Sequence, residues 1–182
     1  THAAGTIAAL RKGLGIAGIA DQKYVKIMPV QVLGTAFGIG EEGAVIEAIR
    51  YAEANGASIC NLSFGTEVYY PNLEQVMRES KMLFVVSAGN GDAEGNGVNI
   101  DEGKLMDYPA SFHLPNVISV ANLMFDGNLA KSSNYGAGSV DIAAPGTYIV
   151  STISHGGYGF MTGTSMSAPM VTGVAAMLYS YR

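Results

Sequence analysis

The chain has 182 residues, of which 48% are hydrophobic and 14% are charged. This composition can form a buried core, so it excludes an intrinsically disordered chain, and the length predicts a single domain over residues 1–182. The formal net charge of -5, with 10 scattered Lys and Arg residues, argues against nucleic acid as a partner.

The sequence also limits membrane insertion and cysteine chemistry. No apolar run reaches the ~18 residues of a membrane-spanning helix, and no signal peptide is recognisable. The single cysteine, Cys60, excludes an internal disulfide and any zinc site with several cysteines. Its apolar neighbours predict a thiol that packs as a small hydrophobic group.

The first half of the chain alternates between strand-like and helix-like patterns. The predicted elements are an irregular edge strand over 24–32, a helix over 41–55, a fully buried strand over 57–62, a helix from Pro71 and a buried strand over 83–87. Pro29 removes a backbone donor from the first strand, and Asn55-Gly56 is typical of a helix end. This alternation predicts an α/β fold with a parallel sheet covered by helices.

The second half begins with a polar stretch, residues 91–107, that predicts a long surface loop. Short strands are predicted over 117–121, 139–143 and 148–152. Gly163-Thr164-Ser165 then precedes an apolar helix that extends to about residue 181. The small residues on one face of this helix predict that it is buried at the centre of the fold.

The ends of two predicted strands are rich in small polar residues and glycine. They read Asn61-Leu62-Ser63-Phe64-Gly65 and Ser87-Ala88-Gly89-Asn90. Ligands of parallel α/β sheets bind beyond the carboxyl ends of the strands. A functional site is therefore expected where these two segments meet.

Ser165 and Asn90 are the candidate chemical groups. A serine at a helix N-terminus can act as a nucleophile, because unpaired N–H groups there favour developing negative charge, but serine is also a common N-cap residue. Asn90 can donate to an oxyanion or form a left-handed turn before Gly91. Each residue alone leaves both interpretations open. The run Gly163–Ser167 lacks the G-x-S-x-G pattern of α/β-hydrolases.

Several segments together carry a family resemblance. They are Thr1–Ala9, Asn61–Gly65, Ser87–Asn90 and Gly163–Pro169, with supporting matches at Val32–Gly34, Tyr108–Ser111, Ser133–Gly136 and Ala144–Gly146. In order and spacing they resemble the subtilisin-like serine proteases (subtilases, peptidase S8 family). The resemblance covers essentially the whole chain and implies a three-layer fold with a mainly parallel central sheet between helices.

The resemblance assigns a role to each matching position. Ser165 would be the nucleophile that forms an acyl-enzyme, and Asn90 would supply an oxyanion donor beside the Ser165 N–H. The substrate would be a polypeptide. Its binding residues would be Ser63, Phe64, Gly65, Ser87, Ala88 and Gly89 around the P1 side chain, with Gly38 and Gly40 at the upstream subsites.

Asp107 precedes the Tyr108-Pro109 pair. In the family this position lies near the floor of the P1 pocket, which accommodates the side chain before the scissile bond. The resemblance therefore implies some preference for a basic P1 residue. The alternative for Asp107 is a solvated loop carboxylate.

The resemblance also implies missing parts. The catalytic histidine would lie two positions before Thr1, with the catalytic aspartate earlier still, whereas His2 matches a non-catalytic histidine. Family members also continue beyond Arg182. We therefore expect a partial catalytic domain, truncated at both ends and inactive or nearly so by itself. Its partners would include a propeptide or the N-terminal part of the same domain.

Three further questions stay open at this stage. No cofactor is expected to be required, but the acidic and amide residues at 92–102 make calcium a candidate structural ion, with a solvated insertion as the alternative.

A non-catalytic, subtilase-like module that binds peptides or proteins is the alternative function. Most family members are exported and some are intracellular, so the compartment is undetermined.

Overall fold

The computed structural model describes residues 1–34 and 40–181. Its helices are α1 (His2–Ala8), α2 (Glu42–Ala54), α3 (Pro71–Glu79) and α4 (Thr164–Ser180). Its strands are β1 (Ile59–Leu62), β2 (Leu83–Ser87), β3 (Val117–Leu123), β4 (Ile142–Pro145), β5 (Ile149–Thr152) and β6 (Tyr158–Met161).

The first four strands form a parallel sheet in the order β1-β2-β3-β4. Leu62 is paired with Val86, and Ser87 with Val120. The register therefore brings the carboxyl ends of β1 and β2 side by side. The predicted α/β fold with a parallel sheet is confirmed.

Helices cover both faces of this sheet. Phe84 and Val85 are both fully buried, although successive strand residues point to opposite faces. Phe84 belongs to the core cluster that contains residues of α2 and α3, and Val85 packs in a second cluster with Ala168 of α4. The sheet is thus the middle of three layers. No helix among residues 1–34 and 40–181 is long and apolar enough to span a membrane.

The helix boundaries follow local sequence signals. Pro71 occupies the first turn of α3, where a missing N–H costs no hydrogen bond. Beyond α2, Asn55 is the C-cap and Gly56 has φ +84, a conformation that suits glycine. The predicted helices at 41–55 and from Pro71, and the buried strand at 83–87, are confirmed.

Other predictions about secondary structure were wrong. The strand predicted over 24–32 does not form, because these residues pair with no strand among the described residues and Pro29 cannot donate. Strand β1 is partly buried rather than fully buried, since it lies at the edge of the four-stranded sheet. The strand expected over 139–143 is β4, which begins later, at Ile142.

The last third of the chain differs from expectation in two ways. The sequence places His155 in a glycine-rich hairpin but predicts no strand at β6, which pairs antiparallel with β5 around that residue. Helix α4 is central at its N-terminal half, where Ala168 is buried, but Leu178 is exposed near its end. Strand β6 was not predicted because its exposed aromatic residues lack a clear alternating pattern.

Candidate active site

Three chain segments meet at the carboxyl ends of β1 and β2. Ser63 follows β1, Asn90 follows β2, and Ser165 lies in the first turn of α4. The Ser165 hydroxyl donates a hydrogen bond to the Ser63 carbonyl at 3.0 Å. The Thr164 N–H donates to Asn90 Oδ1 at 2.9 Å. The structure therefore brings the predicted nucleophile and the predicted oxyanion donor together.

Ser165 is the second residue of α4, and Gly163 is the N-cap. The interpretation of Ser165 as an N-cap serine is therefore wrong. The N–H of Ser165 lies in the helix turn whose N–H groups have no intrahelical acceptor, and the positive end of the helix dipole is in the same place. Ser165 thus combines a partly exposed hydroxyl with an environment that stabilises negative charge.

The Asn90 side chain is held in place through its carboxamide oxygen, Oδ1. Both the N–H of Thr164, at 2.9 Å, and its hydroxyl, at 3.2 Å, contact Asn90 Oδ1. These bonds leave the amide nitrogen Nδ2 without a hydrogen-bond acceptor among the described residues. The left-handed-turn interpretation is wrong, because the positive φ angles fall on Gly89 and Gly91 and not on Asn90.

Gly163 allows this close approach of α4 to the end of β2. Its φ of +147 is unfavourable for a residue with a side chain. A Cβ at this position would lie 3.1 Å from Asn90 Oδ1. The backbone conformation therefore favours glycine at this position, and a Cβ would fit only tightly beside Asn90.

Asp107 lies between the ends of the two strands. A Cβ on Gly65 would overlap Asp107 Oδ1, and a Cβ on Gly89 would overlap Asp107 Oδ2. The two glycines thus provide the space that the carboxylate occupies. Thr66 and Tyr108 exchange backbone hydrogen bonds of 2.9 and 2.8 Å, which hold the segment that carries Asp107 against the end of β1.

The environment of Asp107 contradicts the solvated-loop interpretation. Its Oδ1 atom is buried and has no hydrogen-bond partner among the described residues. Burial raises the pKa of Asp107 to about 7, with a smaller contribution from the negative charge of Glu67. A buried carboxylate without a partner is costly, and a cationic group placed beside it would relieve that cost.

No histidine among the described residues is hydrogen-bonded to Ser165. His2 is buried, and its Nε2 lies 3.0 Å from the Ile149 carbonyl and 3.2 Å from the Gly159 carbonyl. His113 and His155 are exposed. This arrangement fits the expectation that His2 is not the catalytic histidine.

The remaining predicted binding residues have mixed positions. Ser87 and Ala88 are buried at the end of β2, and Phe64 packs partly against the core. Gly40 is exposed and lies beside the Val32 carbonyl, and its role at an upstream subsite stays a prediction. Gly38 lies outside the described residues.

The acidic loop at 92–102 uses its oxygen atoms internally. Asp92 Oδ1 accepts hydrogen bonds from the N–H groups of Glu94 and Asn96, at 3.1 and 2.8 Å. Asp101 accepts one from the Gly138 N–H at 2.9 Å. Within residues 1–34 and 40–181, no cluster of three His, Cys, Asp or Glu side chains is arranged for a metal ion. Calcium stays a candidate structural ion here, with a solvated insertion as the alternative.

Cys60 is a free thiol in β1. Burial raises the pKa of the thiol to about 11, which makes it a poor nucleophile at neutral pH. The prediction that Cys60 packs as a small hydrophobic group is confirmed by its contacts with the main core cluster.

The sequence analysis did not assign a role to Thr164 or Asn134. Thr164 is fully buried and also accepts a hydrogen bond from the Gly89 N–H at 3.2 Å. Asn134 is 1% exposed and contacts the backbone around Asn90. Both residues lie in segments that carried the resemblance, but neither spacing nor residue type indicates which strand end they contact.

The chain is similar to known proteins along its whole length. The model of the subtilase family (peptidase S8) matches residues 1–182. The major intracellular serine protease of Bacillus subtilis is 37% identical, covering 100% of this chain and 54% of that protein. Subtilisin Savinase of Lederbergia lenta is 35% identical, covering 98% of this chain and 61% of that protein.

Solved structures show the same relationship. A protease from Pseudoalteromonas arctica superposes with a TM-score of 0.85 at 30% identity, covering 100% of this chain and 58% of that chain. A cold-adapted subtilisin-like serine proteinase gives a TM-score of 0.78 at 28% identity, covering 100% of this chain and 61% of that one. The chain spans about half the length of the curated relatives it matches.

Proposed function

The chain belongs to the subtilase family, and on that premise we propose that the protein is a serine endopeptidase that cleaves peptide bonds through an acyl-enzyme on Ser165. Its relatives include subtilisin-family serine endopeptidases. The observation that carries the proposal is the hydrogen bond from the Thr164 N–H to Asn90 Oδ1, which supports a role for the other side-chain atom, Nδ2, as a donor near Ser165.

In the proposed reaction, Ser165 Oγ attacks the carbonyl carbon of the scissile peptide bond. The serine proton passes to a general base, and the carbonyl oxygen becomes a tetrahedral oxyanion. Asn90 Nδ2 and the Ser165 N–H donate hydrogen bonds to that oxyanion. Collapse of the intermediate breaks the C–N bond. The amine takes up the proton from the general base and departs, and the acyl group remains bound to Ser165 as an ester. Water then hydrolyses the ester and restores the serine.

The described residues do not hold the base for the first step. A serine hydroxyl at its ordinary pKa is a weak nucleophile unless a base accepts its proton. Here the Ser165 hydroxyl donates to the Ser63 carbonyl, which cannot take up a proton at neutral pH. In our proposal a histidine and an aspartate from outside these 182 residues complete the site. The 182 residues by themselves are then inactive or nearly so.

We further propose that the substrate carries a basic P1 side chain. The polypeptide would lie across the ends of β1 and β2, with its P1 side chain directed between Gly65 and Gly89. A lysine or arginine there would pair with the buried carboxylate of Asp107, whose Oδ1 has no partner. An ion pair with additional hydrogen bonds is what makes burial of such a carboxylate tolerable.

A fluorophosphonate probe tests the nucleophile. The full-length protein is treated with the probe, beside Ser165→Ala and Ser180→Ala. Ser180 is a matched control, because it is an exposed serine on α4 whose hydroxyl donates to the Met177 carbonyl. Labelling of the wild type and of Ser180→Ala, but not of Ser165→Ala, is the expected result.

A different outcome would favour the alternative function. Peptide binding by the full-length protein without any Ser165 labelling would indicate a non-catalytic binding module. In that case the contact between Asn90 and Thr164 would serve only to hold α4 against the sheet.

A further inference from the structure

Asn134 is a buried side chain in the segment between β3 and β4. It is 1% exposed, yet it lies on neither a helix nor a strand. A buried carboxamide needs partners for its oxygen and for its two N–H groups. Its partners all lie in the loop that follows β2.

The hydrogen bonds of Asn134 lie on both sides of Asn90. Its Nδ2 donates to the Ala88 carbonyl at 2.9 Å, and its backbone N–H donates to the Gly89 carbonyl at 3.1 Å. Its Oδ1 accepts from the Gly91 N–H at 3.0 Å. The same Oδ1 accepts from the Val98 N–H at 3.1 Å.

These hydrogen bonds fix a stretch of backbone whose two glycines could otherwise adopt many conformations. Gly89 and Gly91 flank Asn90 and have φ angles of +100 and +88. Glycine allows many backbone conformations, so the direction of the Asn90 side chain depends on external contacts. A Cβ on Gly89 would overlap Asn134 Nδ2, which shows how closely the carboxamide approaches the loop.

We propose that Asn134 is a positioning residue for Asn90. Asn134 fixes the backbone on both sides of Asn90, and Thr164 fixes the oxygen of its side chain. Together they aim Asn90 Nδ2 at the position of the developing oxyanion. The inference rests on the proposed function, since it assigns Asn134 a part in that same reaction without contact to the substrate.

Asn116 offers a matched control for a purely structural role. Its Nδ2 also lies within hydrogen-bond distance of several carbonyls, those of Met77, Ser80 and Met82, at 2.8, 3.1 and 3.2 Å. However, Asn116 directly precedes β3, at the opposite end of the sheet from Ser165. Its loss should lower stability without changing the geometry around Asn90.

A double-mutant cycle in the full-length protein tests the proposal. Asn134→Ala is expected to lower kcat by about tenfold with little change in KM, because misplacement of a catalytic donor affects the transition state most. In an Asn90→Ala background the same substitution should cost almost nothing more, since Asn134 acts through Asn90. Asn116→Ala should leave kcat unchanged in both backgrounds.

Asn134→Asp provides a second variant should Asn134→Ala fold poorly. It keeps an oxygen for the N–H groups of Gly91 and Val98 but loses the donor to the Ala88 carbonyl. It should therefore lower kcat in the same background-dependent way. Equal losses of kcat with and without Asn90, for either Asn134 variant, would overturn the proposal.

Amide hydrogen exchange separates this inference from the proposed function. The N–H groups of Gly91 and Val98 should exchange faster in Asn134→Ala than in the wild type and remain protected in Asn116→Ala. If the wild type shows no Ser165-dependent hydrolysis, the proposed function fails, and exchange alone decides whether Asn134 fixes the loop. Unchanged protection at Gly91 would then exclude the positioning role.

Discussion

The N–H of Thr164 donates to Asn90 Oδ1 across 2.9 Å, joining residues that are 74 positions apart in the chain. This bond ties the start of α4 to the loop after β2. It uses the oxygen of the carboxamide, and the nitrogen has no hydrogen-bond partner in the part of the chain that the structure describes. In our proposal, this hydrogen bond orients the Asn90 side chain.

Asn90→Asp tests the donor separately from the contact with Thr164. The aspartate keeps an acceptor for the Thr164 N–H, but it replaces the donor with an oxygen. We expect kcat to fall by more than about tenfold, because a hydrogen bond to a charged group contributes about 1.5–3 kcal/mol. Steady-state kinetics and a urea melt would measure activity and folding. An unchanged kcat in the folded variant would show that Asn90 does not donate a hydrogen bond to the oxyanion.

Asp107 should control the preference for the P1 side chain. The pKa of Asp107 is raised to about 7, so its carboxylate becomes charged as the pH rises from about 6 to about 8. We expect kcat/KM for a P1 arginine, relative to a P1 leucine, to rise over this range. In Asp107→Asn the ratio should be lower and independent of pH. Equal or better cleavage after leucine or phenylalanine in the wild type would end this idea.

Asp107 should also make stability depend on pH. Its pKa is raised from 3.8 to about 7 in the folded state, so between these values the folded protein holds a proton that the unfolded chain releases. The free energy of unfolding should fall, by up to roughly 4 kcal/mol, as the pH rises from about 4 to about 7. Urea midpoints at several pH values would measure this, and Asp107→Asn should flatten the dependence.

Asp126 provides the control for that experiment. Hydrogen bonds from Asn128 lower the pKa of Asp126 from its ordinary value, so the titration of Asp126 lies well away from that of Asp107. Asp126→Asn should therefore leave the slope unchanged. If the free energy of unfolding of Asp107→Asn still falls with pH as it does in the wild type, another titratable group causes the pH dependence.

Gly65→Ala should disturb Asp107 directly. A Cβ at Gly65 would overlap Asp107 Oδ1, and an added methyl group in a filled space typically costs about 1–3 kcal/mol. The double variant Gly65→Ala/Asp107→Ala should recover most of this loss, which thermal or urea unfolding would show. Gly43→Ala in α2 is the control, since a Cβ there meets no atom within 4 Å and should stabilise the helix. Additive effects of the Gly65 and Asp107 substitutions would contradict the overlap.

Calcium is expected to leave the thermal stability unchanged. The side-chain oxygens of Asp92 and Asp101 accept backbone hydrogen bonds within the fold, and this already stabilises their charge. The test is the Tm of the full-length protein in millimolar calcium and in EDTA. A higher Tm with calcium, lost in Asp92→Ala or Asp101→Ala, would instead assign this loop a structural ion.

Some features followed from short segments of sequence. Pro71 fixed the start of α3, and the apolar run at 83–87 indicated a buried strand. The strand at 24–32 was predicted from β-branched residues but was not found, because a strand requires a neighbour with which to pair. Burial of β1 was overestimated for a related reason, since sequence alone does not show which strand forms the edge.

The sequence by itself indicated Ser165 and Asn90 as the candidate chemical groups, because both stand in segments whose residue order resembles the subtilase family, and the family model matches residues 1–182. Only the tertiary structure decided how those residues are held. Asn134 and Thr164 reach Asn90 from 44 positions (134 − 90) and 74 positions away in the chain, and the buried carboxylate of Asp107 fits only between two particular glycines. Hydrogen bonding and burial depend on distances in space, which local sequence patterns do not specify.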